Sequence, residues 1–428
     1  MLLASGIIKG SFMKGYVGKL TRQARESSYK LARLSSAQKN KALKFMAAAL
    51  LKNRDFILRE NKKDLAAGRR KNLKESLIDR LALNEARLKQ MSVSLGEVAR
   101  LPEVVGKVIS SSLRPNGIKI KKIRVPIGVV LVIFEARPNV VSDCAGLLFK
   151  TSNVGILRGG SASFYSNLAI QKVLNGALSA AGINFKAFFV VEKTSHKIAQ
   201  ELLRASENID LVIPRGGEAL IKKVVEVSNI PVIKHYKGVC HIFVDKTADI
   251  KKALKIAVNA KVQRPSVCNA VETILIHKDI AKKFLPLLKK EFDTNKVAIR
   301  ADAKTAGIIS GVKKAFESDW STEYLDLVVS IKVVKDVDEA IRHINCYGSH
   351  HTESIITRNK KNAEHFLKEI DSACCFVNIS TRFSDGYQFG LGAEIGISTD
   401  KLHARGPMGL EELTTYKWIA TGNGQIRE

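Results

Sequence analysis

The chain of 428 residues predicts an α/β protein built on two doubly wound parallel sheets. Three observations carry that prediction. Two long series of apolar strands alternate with amphipathic helices, the pattern left by a parallel sheet covered on both faces. A purely helical stretch precedes both series. Between that stretch and the first series lies a short ribbon in which apolar and basic residues alternate. The length also exceeds what one small core can serve, so more than one packed unit is expected.

Residues 22 to 105 read as successive amphipathic helices, among them Ser36 to Leu51 and Asp55 to Ala67. Leucines and alanines recur there at helical spacing with Lys or Arg between them, and no catalytic constellation appears. From Ile118 the period changes: Ile118, Ile120, Ile123 and Val125 alternate with basic residues, as exposed paired strands do. The first strand and helix series runs from Val125 to Ile233. Its strands are Ile127 to Phe134, Val154 to Leu157, Ala187 to Val191, Leu211 to Ile213 and Val232 to Ile233, with helices such as Ala162 to Ala180 and Ser195 to Ala205. The second series has strands His241 to Val244, Thr273 to Ile276, Leu327 to Val334, Ser354 to Thr357 and Cys375 to Val377. Glycine and turn residues fill 381 to 428, so this tail is expected to wrap back over the other units.

Hydrophobic content of 45% is ordinary for a globular chain. The densest apolar run, Ile127 to Phe134, suits a buried strand and falls far short of the roughly 20 residues that span a bilayer. Met1 to Gly10 has an apolar patch without a basic leader, which argues against a secretory signal, and Met13 could serve as an alternative start. The six cysteines show no Cys-x-x-Cys and no paired spacing; a reducing, cytoplasmic setting without a membrane anchor is expected. The formal charge of +29 would attract polyanions. Its lysines and arginines are spread along the chain without a nucleic-acid-binding motif, so solvated helix faces and anionic small ligands explain them better than a nucleic-acid partner.

The chemistry concentrates in Gln263 to Thr273, where a helical pattern breaks at Pro265, presents one thiol at Cys268 and enters an apolar strand. A loop thiol can be a nucleophile, although most free cysteines are small buried hydrophobes. Cys144, Cys240, Cys374 and Cys375 read as such, and Cys346 also reads as structural. Two glycine turns follow strands: Arg158-Gly159-Gly160-Ser161 and Pro214-Arg215-Gly216-Gly217. Each lets backbone approach a ligand closely at the start of a helix, where free amides and an arginine favour phosphate. Asn139 opens a helix after Pro138, either as an N-cap or as an amide donor to a developing oxyanion. His343, His350, His351 and Glu353 fall close together, yet adjacent histidines diverge, so packing or substrate contact is favoured and no metal is expected.

Several motifs in order then give a specific likeness. They are Val125-Pro126-Ile127-Gly128-Val129, Glu135-Ala136-Arg137-Pro138-Asn139, Leu157 to Gly160, Ile213 to Gly217, Cys268-Asn269-Ala270, Ala340 to Ile355, and Phe389 to Gly396 through Pro407. From about Ala24 to Ile419 the chain resembles the gamma-glutamyl phosphate reductases, also called glutamate-5-semialdehyde dehydrogenases, a branch of the aldehyde dehydrogenase superfamily. The resemblance implies an aldehyde-dehydrogenase-like fold: an NADP-binding domain from 1–111 and 127–240, a catalytic domain from 241–405, and an oligomerisation arm from 112–126 and 406–428. It also implies a homo-oligomer.

By the same likeness Cys268 attacks L-glutamyl 5-phosphate, phosphate leaves, and NADPH reduces the resulting thioester to glutamate 5-semialdehyde, the second step of proline synthesis from glutamate. Asn139 and the Cys268 amide would form the oxyanion hole. Arg158, Gly159, Gly160 and Ser161, with Gly216 and Gly217, would lie along the cofactor's phosphates and adenosine ribose, and Glu323 would hold the nicotinamide ribose. Thr381, Arg382, Gly390 and Gly392 are candidates for the substrate's α-carboxylate and amine. Two departures bear on the reaction. His235-Tyr236-Lys237-Gly238 stands where hydrolytic relatives carry a general-base glutamate, which suits an enzyme that must not hydrolyse its thioester. Neutral Ser161, where NAD enzymes often have a glutamate and many reductases of this family have Lys-Glu at 161–162, tolerates a 2′-phosphate. No kinase region precedes residue 22, so a glutamate 5-kinase partner would be a separate protein. A hydrolytic or CoA-acylating aldehyde dehydrogenase is the competing enzyme reading.

Overall fold

The computed structural model describes residues 15–234 and 236–427, so the Met1 to Gly10 patch, Met13 and His235 lie outside the described residues. The chain divides into two compact units, one formed by 1–233 with 409–428 and the other by 234–408. Both are α/β, and each is built on a parallel sheet.

The first unit opens with helices α1 (Tyr16–Leu31), α2 (Ser36–Lys52), α3 (Arg54–Arg70), α4 (Glu75–Leu81) and α5 (Glu85–Arg100). Sequence places their starts: Ser35 and Gln38 form a reciprocal capping box at α2, and the Asn84 carboxamide accepts the Arg87 amide at α5. The basic residues of this layer are not all solvated. Lys39 is 1% exposed and donates to the Lys150 carbonyl, the Ser152 hydroxyl and Glu103. Burial lowers its pKa, with Glu103 opposing that shift. Next come β1 (Val108–Leu113), β2 (Lys119–Pro126), β3 (Val129–Phe134), α6 (Asn139–Lys150), β4 (Val154–Gly159), α7 (Phe164–Ala180), β5 (Phe188–Val190), α8 (His196–Leu203), β6 (Leu211–Arg215) and α9 (Glu218–Val227). Strands β5-β4-β3-β6 form one parallel sheet. Every residue of β3 is buried, as its unbroken apolar run requires of a strand covered on both faces. The strand expected at Val232 to Ile233 is only a bridge from Val232 to Val212, since two residues cannot sustain a ladder.

The second unit contains β7 (Cys240–Val244), α10 (Ile250–Val262), β8 (Val271–His277), α11 (Lys278–Thr294), β9 (Ala298–Ala301), α12 (Ala303–Ala306), β10 (Lys313–Lys314), β11 (Val328–Val334), α13 (Val337–Tyr347), β12 (Thr352–Ile356), α14 (Lys360–Glu369), β13 (Cys374–Val377), β14 (Gly396–Ser398) and β15 (Gly406–Met408). Its seven-stranded parallel sheet has the order β10-β9-β11-β8-β7-β12-β13. β9 and β10 escaped the sequence reading because β9 is four residues broken by Arg300 and β10 is only two lysines. The main core clusters Ile242, Val244, Ile274, Ile276, Phe284, Phe292 and Ile331 around β7, β8 and β11. The chain then returns to the first unit as β16 (Thr414–Thr421), which pairs antiparallel with β2 in the sheet β1-β2-β16. The alternation of Ile118 to Val125 thus marks a central strand flanked on both sides. The tail divides its residues: 381–408 packs in the second unit and 414–421 joins this ribbon.

Candidate active site

The thiol loop is built where α10 ends. Pro265 has no amide hydrogen to continue a helix and restricts the residue before it, so the chain leaves α10 after Val262 and turns through Cys268 into β8. Cys268 therefore stands at the amino end of β8, partly exposed. Its backbone is tightly bound. A Cβ at Gly238 would lie 1.9 Å from the Cys268 carbonyl oxygen and 2.6 Å from its Cα, so only glycine fits there. The same Gly238 donates its amide to Glu323 Oε1 at 2.8 Å, and the buried Cys240 thiol donates to the Cys268 carbonyl at 3.2 Å.

The segment after β13 is stapled to this loop. Asn269 Nδ2 donates to the Ser384 carbonyl at 2.8 Å, Thr381 Oγ1 donates to the Asn269 carbonyl at 2.7 Å, and Arg382 Nε donates to Gln263 Oε1 at 2.9 Å. Thr381 and Arg382 thus lie at the thiol loop, with the fully buried Thr381 hydroxyl spent on holding Asn269. Burial lowers the Arg382 pKa, as does the neighbouring charge of Arg264, while Asp385 and Cys268 oppose them. Gly390 and Gly392 occupy a separate turn and take φ of 74° and 71°, which explains their residue type.

In the first unit Arg158 closes β4 and donates from Nη2 to the Thr194 carbonyl at 2.9 Å. Its Nε is buried with no partner among the described residues. Burial lowers its pKa. Gly159 is required because a Cβ would lie 2.2 Å from Asn167 Nδ2, and Ser161 is exposed. Behind this turn a short 3-10 turn, Ser161–Ser163, leads into α7, whose Tyr165 and Ser166 amides are taken by Asp64 of α3 at 3.1 and 2.8 Å. At the second turn the Gly217 amide is donated to Glu135 Oε1 at 2.9 Å, and a Cβ on Gly216 would meet that carboxylate and Leu220. Asn139 is the first residue of α6 and Pro138 occupies the cap position, so the capping role falls away. Asn139 Nδ2 instead donates to Asp143 at 2.8 Å, and burial raises the Asp143 pKa to about 6 against the pull of that bond and of Arg215. A carboxamide has two N–H donors, so this bond fixes the group while leaving a second donor.

The profile of the aldehyde dehydrogenase family matches residues 14–315. A gamma-glutamyl phosphate reductase of Caldanaerobacter subterraneus is 53% identical over 407 residues, covering 95% of this chain and 98% of that protein. The chain belongs to the gamma-glutamyl phosphate reductase family. The family's counterpart in Geotalea daltonii is 52% identical over 412 residues, covering 96% and 99% of the two chains. The crystal structure of the family member from Thermotoga maritima superimposes with a TM-score of 0.95 at 46% identity, covering 96% of this chain and all of that one. An acetylating aldehyde dehydrogenase from Geobacillus thermoglucosidasius, 16% identical with a TM-score of 0.69, shares the fold. The same holds for an engineered glycolyl-CoA reductase with bound NADP+, 16% identical with a TM-score of 0.66.

The stretch Ala340 to Ile355 packs against the Gly238 to Cys240 segment that holds the thiol loop: Ser349 Oγ accepts the Val239 amide, and His351 lies on the Cys240 thiol. Glu353 is fully buried and accepts the His241 amide and ring nitrogen at 2.7 and 3.0 Å, with the Ser372 hydroxyl on its other oxygen. His343 stacks edge-on against His241 and Trp320, and burial drives its pKa down to about 2, holding it neutral. His350 turns to the Asp371 carbonyl while His351 turns inward to Thr352 and the Cys240 thiol, so the adjacent rings do diverge. No three His, Cys, Asp or Glu gather as a metal site among the described residues. Cys346 is exposed on α13, because it falls on the face opposite buried Ala340, Ile341 and Ile344; this corrects its reading as a packed residue.

Residues that the sequence reading missed complete the loop's support. Lys261 and Glu272, both with fully buried side chains, pair at 2.6 Å, and Glu272 Oε1 accepts the Leu325 amide at 3.3 Å. Burial raises Glu272 to about 7 and lowers Lys261, each restrained by its partner. The signal was present: Glu272 interrupts an apolar strand, and Lys261 follows the buried positions Ala253, Ala257 and Ala260 of α10.

Proposed function

We propose that this chain reduces L-glutamyl 5-phosphate to L-glutamate 5-semialdehyde and phosphate, with NADPH as reductant, in the second step of proline biosynthesis from glutamate. The observation that carries the proposal is a partly exposed Cys268 whose backbone is locked by Gly238, Cys240 and Asn269, beside two arginines and with no general-base glutamate in the 235–238 segment. Cys268, as thiolate, attacks the acyl carbon. A C–S bond forms, the C–O bond to the phosphoryl group breaks, and phosphate leaves with the electron pair. Asn139, oriented by Asp143, keeps a second N–H as a donor for a developing oxyanion, and the Cys268 amide is another. The missing base protects the thioester from water until it is reduced.

The residues present fit a phosphorylated dinucleotide: Arg158 has a buried Nε without a partner, and the exposed Ser161 beside it adds no negative charge. Gly159, Gly160, Gly216 and Gly217 would let the cofactor lie close to the backbone, although the Glu135 carboxylate at Gly217 suits a ribose hydroxyl better than a phosphate. Glu323, held at Gly238, would take the nicotinamide ribose. Bound NADPH supplies the hydride that reduces the thioester. The resulting thiohemiacetal releases the aldehyde and regenerates Cys268. The alternative CoA-acylating or hydrolytic reaction would yield acyl-CoA or free acid.

The ribbon β1-β2-β16 supports a homo-oligomer. Among the described residues it leaves two strand edges unpaired and exposes Leu113, Tyr416 and Trp418, with Lys122 over the Tyr416 ring at 3.5 Å. A glutamate 5-kinase would supply the acyl phosphate. The deciding assay is oxidation of glutamate 5-semialdehyde by NADP+ with and without phosphate. Wild-type protein is expected to require phosphate and Cys268→Ala to lose at least about 10³-fold in rate; full turnover without phosphate, or by the variant, refutes the proposal. Light scattering of the purified chain reads its oligomeric state.

A further inference from the structure

Two arginines converge on the thiol loop for which the reaction so far has no fixed use. Arg264 follows Gln263 in the turn that carries Cys268, and Arg382 is tied to the same turn by its bond from Nε to Gln263 Oε1 at 2.9 Å. The 380–384 segment cannot drift away, because Thr381 Oγ1 holds the Asn269 carbonyl at 2.7 Å and Asn269 Nδ2 holds the Ser384 carbonyl at 2.8 Å. Arg382 and Arg264 repel one another, and Arg382 feels the charges of Cys268 and Asp385 in the opposite sense. Arg264 is exposed and Arg382 partly so, and among the described residues neither forms a salt bridge with a carboxylate. Two like charges held together beside a nucleophile are costly unless an anion joins them.

We propose that Arg264 and Arg382 bind the phosphoryl group of the acyl phosphate and, in the reverse direction, inorganic phosphate. The inference rests on the acyl phosphate reaction proposed above and assigns that site's phosphate subsite. Connectivity favours the phosphoryl group over the α-carboxylate considered for Arg382 from sequence. Phosphorus is separated from the carbon that Cys268 attacks by one bridging oxygen, whereas the α-carboxylate lies at the far end of the methylene chain. A dianion also matches two guanidinium groups, which bind phosphate oxygens through paired N–H donors. In acyl transfer the arginines hold the leaving oxygen's charge as the C–O bond breaks. In reverse they present a phosphate oxygen to the thioester carbon as the C–S bond breaks and Cys268 leaves as thiolate.

The test uses full-length wild-type, Arg264→Gln, Arg382→Gln, Arg264→Lys and Arg382→Lys proteins. In NADP+-dependent oxidation of glutamate 5-semialdehyde, each Gln variant should raise KM for phosphate about 10- to 100-fold and leave KM for NADP+ unchanged, with partial recovery in the Lys variants. A readout without turnover is the rate at which iodoacetamide alkylates Cys268. Inorganic phosphate should slow it in wild-type protein and much less in either Gln variant. A phosphate-dependent wild type whose Gln variants keep the normal KM for phosphate overturns this assignment while leaving the reaction intact. So does a raised KM for the semialdehyde alone, which would give the arginines to the α-carboxylate. If wild-type turnover needs no phosphate the reaction proposal fails, and the alkylation result alone then decides whether these arginines form a phosphate site.

Discussion

The two parallel sheets use opposite ends. In the first unit the candidate residues follow carboxyl ends: Arg158 and Gly159 close β4, and Gly216 and Gly217 follow β6. In the second, Cys268 precedes β8 and Cys240 begins β7, so the thiol stands at the amino ends of its strands. Ligands of doubly wound sheets gather at carboxyl ends, and the candidate residues of the first unit lie there. The second departs from it, and its interior differs accordingly. β3 is six buried apolar residues, whereas β8 buries Glu272, Thr273 and His277 among its apolar ones. Buried charge is costly unless paired, and here Lys261 pairs with Glu272 and His241 with Glu353. The lesson is that a reactive loop at an amino end, without a helix start to brace it, is held by buried polar contacts beneath it.

Breaking the ionic floor should have the largest effect. Lys261→Met strands Glu272 as an unpaired buried carboxyl and is expected to lower stability by about 3–5 kcal/mol in denaturant unfolding, with Lys261→Met/Glu272→Leu recovering most of it. If the single variant unfolds like wild type, the contrast between the two cores is wrong. In the first unit, Asn139→Ala should lower kcat by about 10²–10³-fold with little change in KM, as loss of an oxyanion donor does. Gly238→Ala forces the Cys268 carbonyl aside; steady-state rates should fall by about 10²-fold and alkylation of Cys268 should change, since small displacements of reacting atoms are that costly.

The pH responses of the two units have opposite signs. The folded-state pKa of His343 is depressed to about 2 from 6.5, so its contribution to stability is full above pH 6.5 and drains as pH falls below it, by up to about 1.4 kcal/mol per pH unit. That of Asp143 is raised to about 6 from 3.8, so its contribution is full below pH 3.8 and drains as pH rises towards 6. Hydrogen exchange between pH 4 and 6.5 should show the second unit loosening in acid. His343→Phe should flatten that response, and Asp143→Asn should remove the opposing trend around α6. Matching pH slopes in both units would contradict the assignment.

Much of this was legible in the chain itself. Alternating apolar runs and helices specified two parallel sheets because strands buried on both faces must be apolar throughout, and a proline ahead of Cys268 specified where a helix yields to a reactive loop. Glycine at 159 and 216 was legible as close backbone approach, though what approaches is partly the protein's own Asn167 and Glu135. Less legible were contacts between residues far apart in sequence. That Asp64, about a hundred positions upstream, fills the amides of α7 follows from helix packing and leaves no local pattern. The same is true of Thr381 and Asn269, of Gly238 and Cys268, and of Arg382 and Gln263. Local sequence determined the elements and the loop that presents the Cys268 thiol, because periodicity and backbone restriction act over a few residues. Tertiary structure alone decided which groups brace the thiol loop and that Arg382 is tied to it, because those are set by how strands order themselves in the sheet.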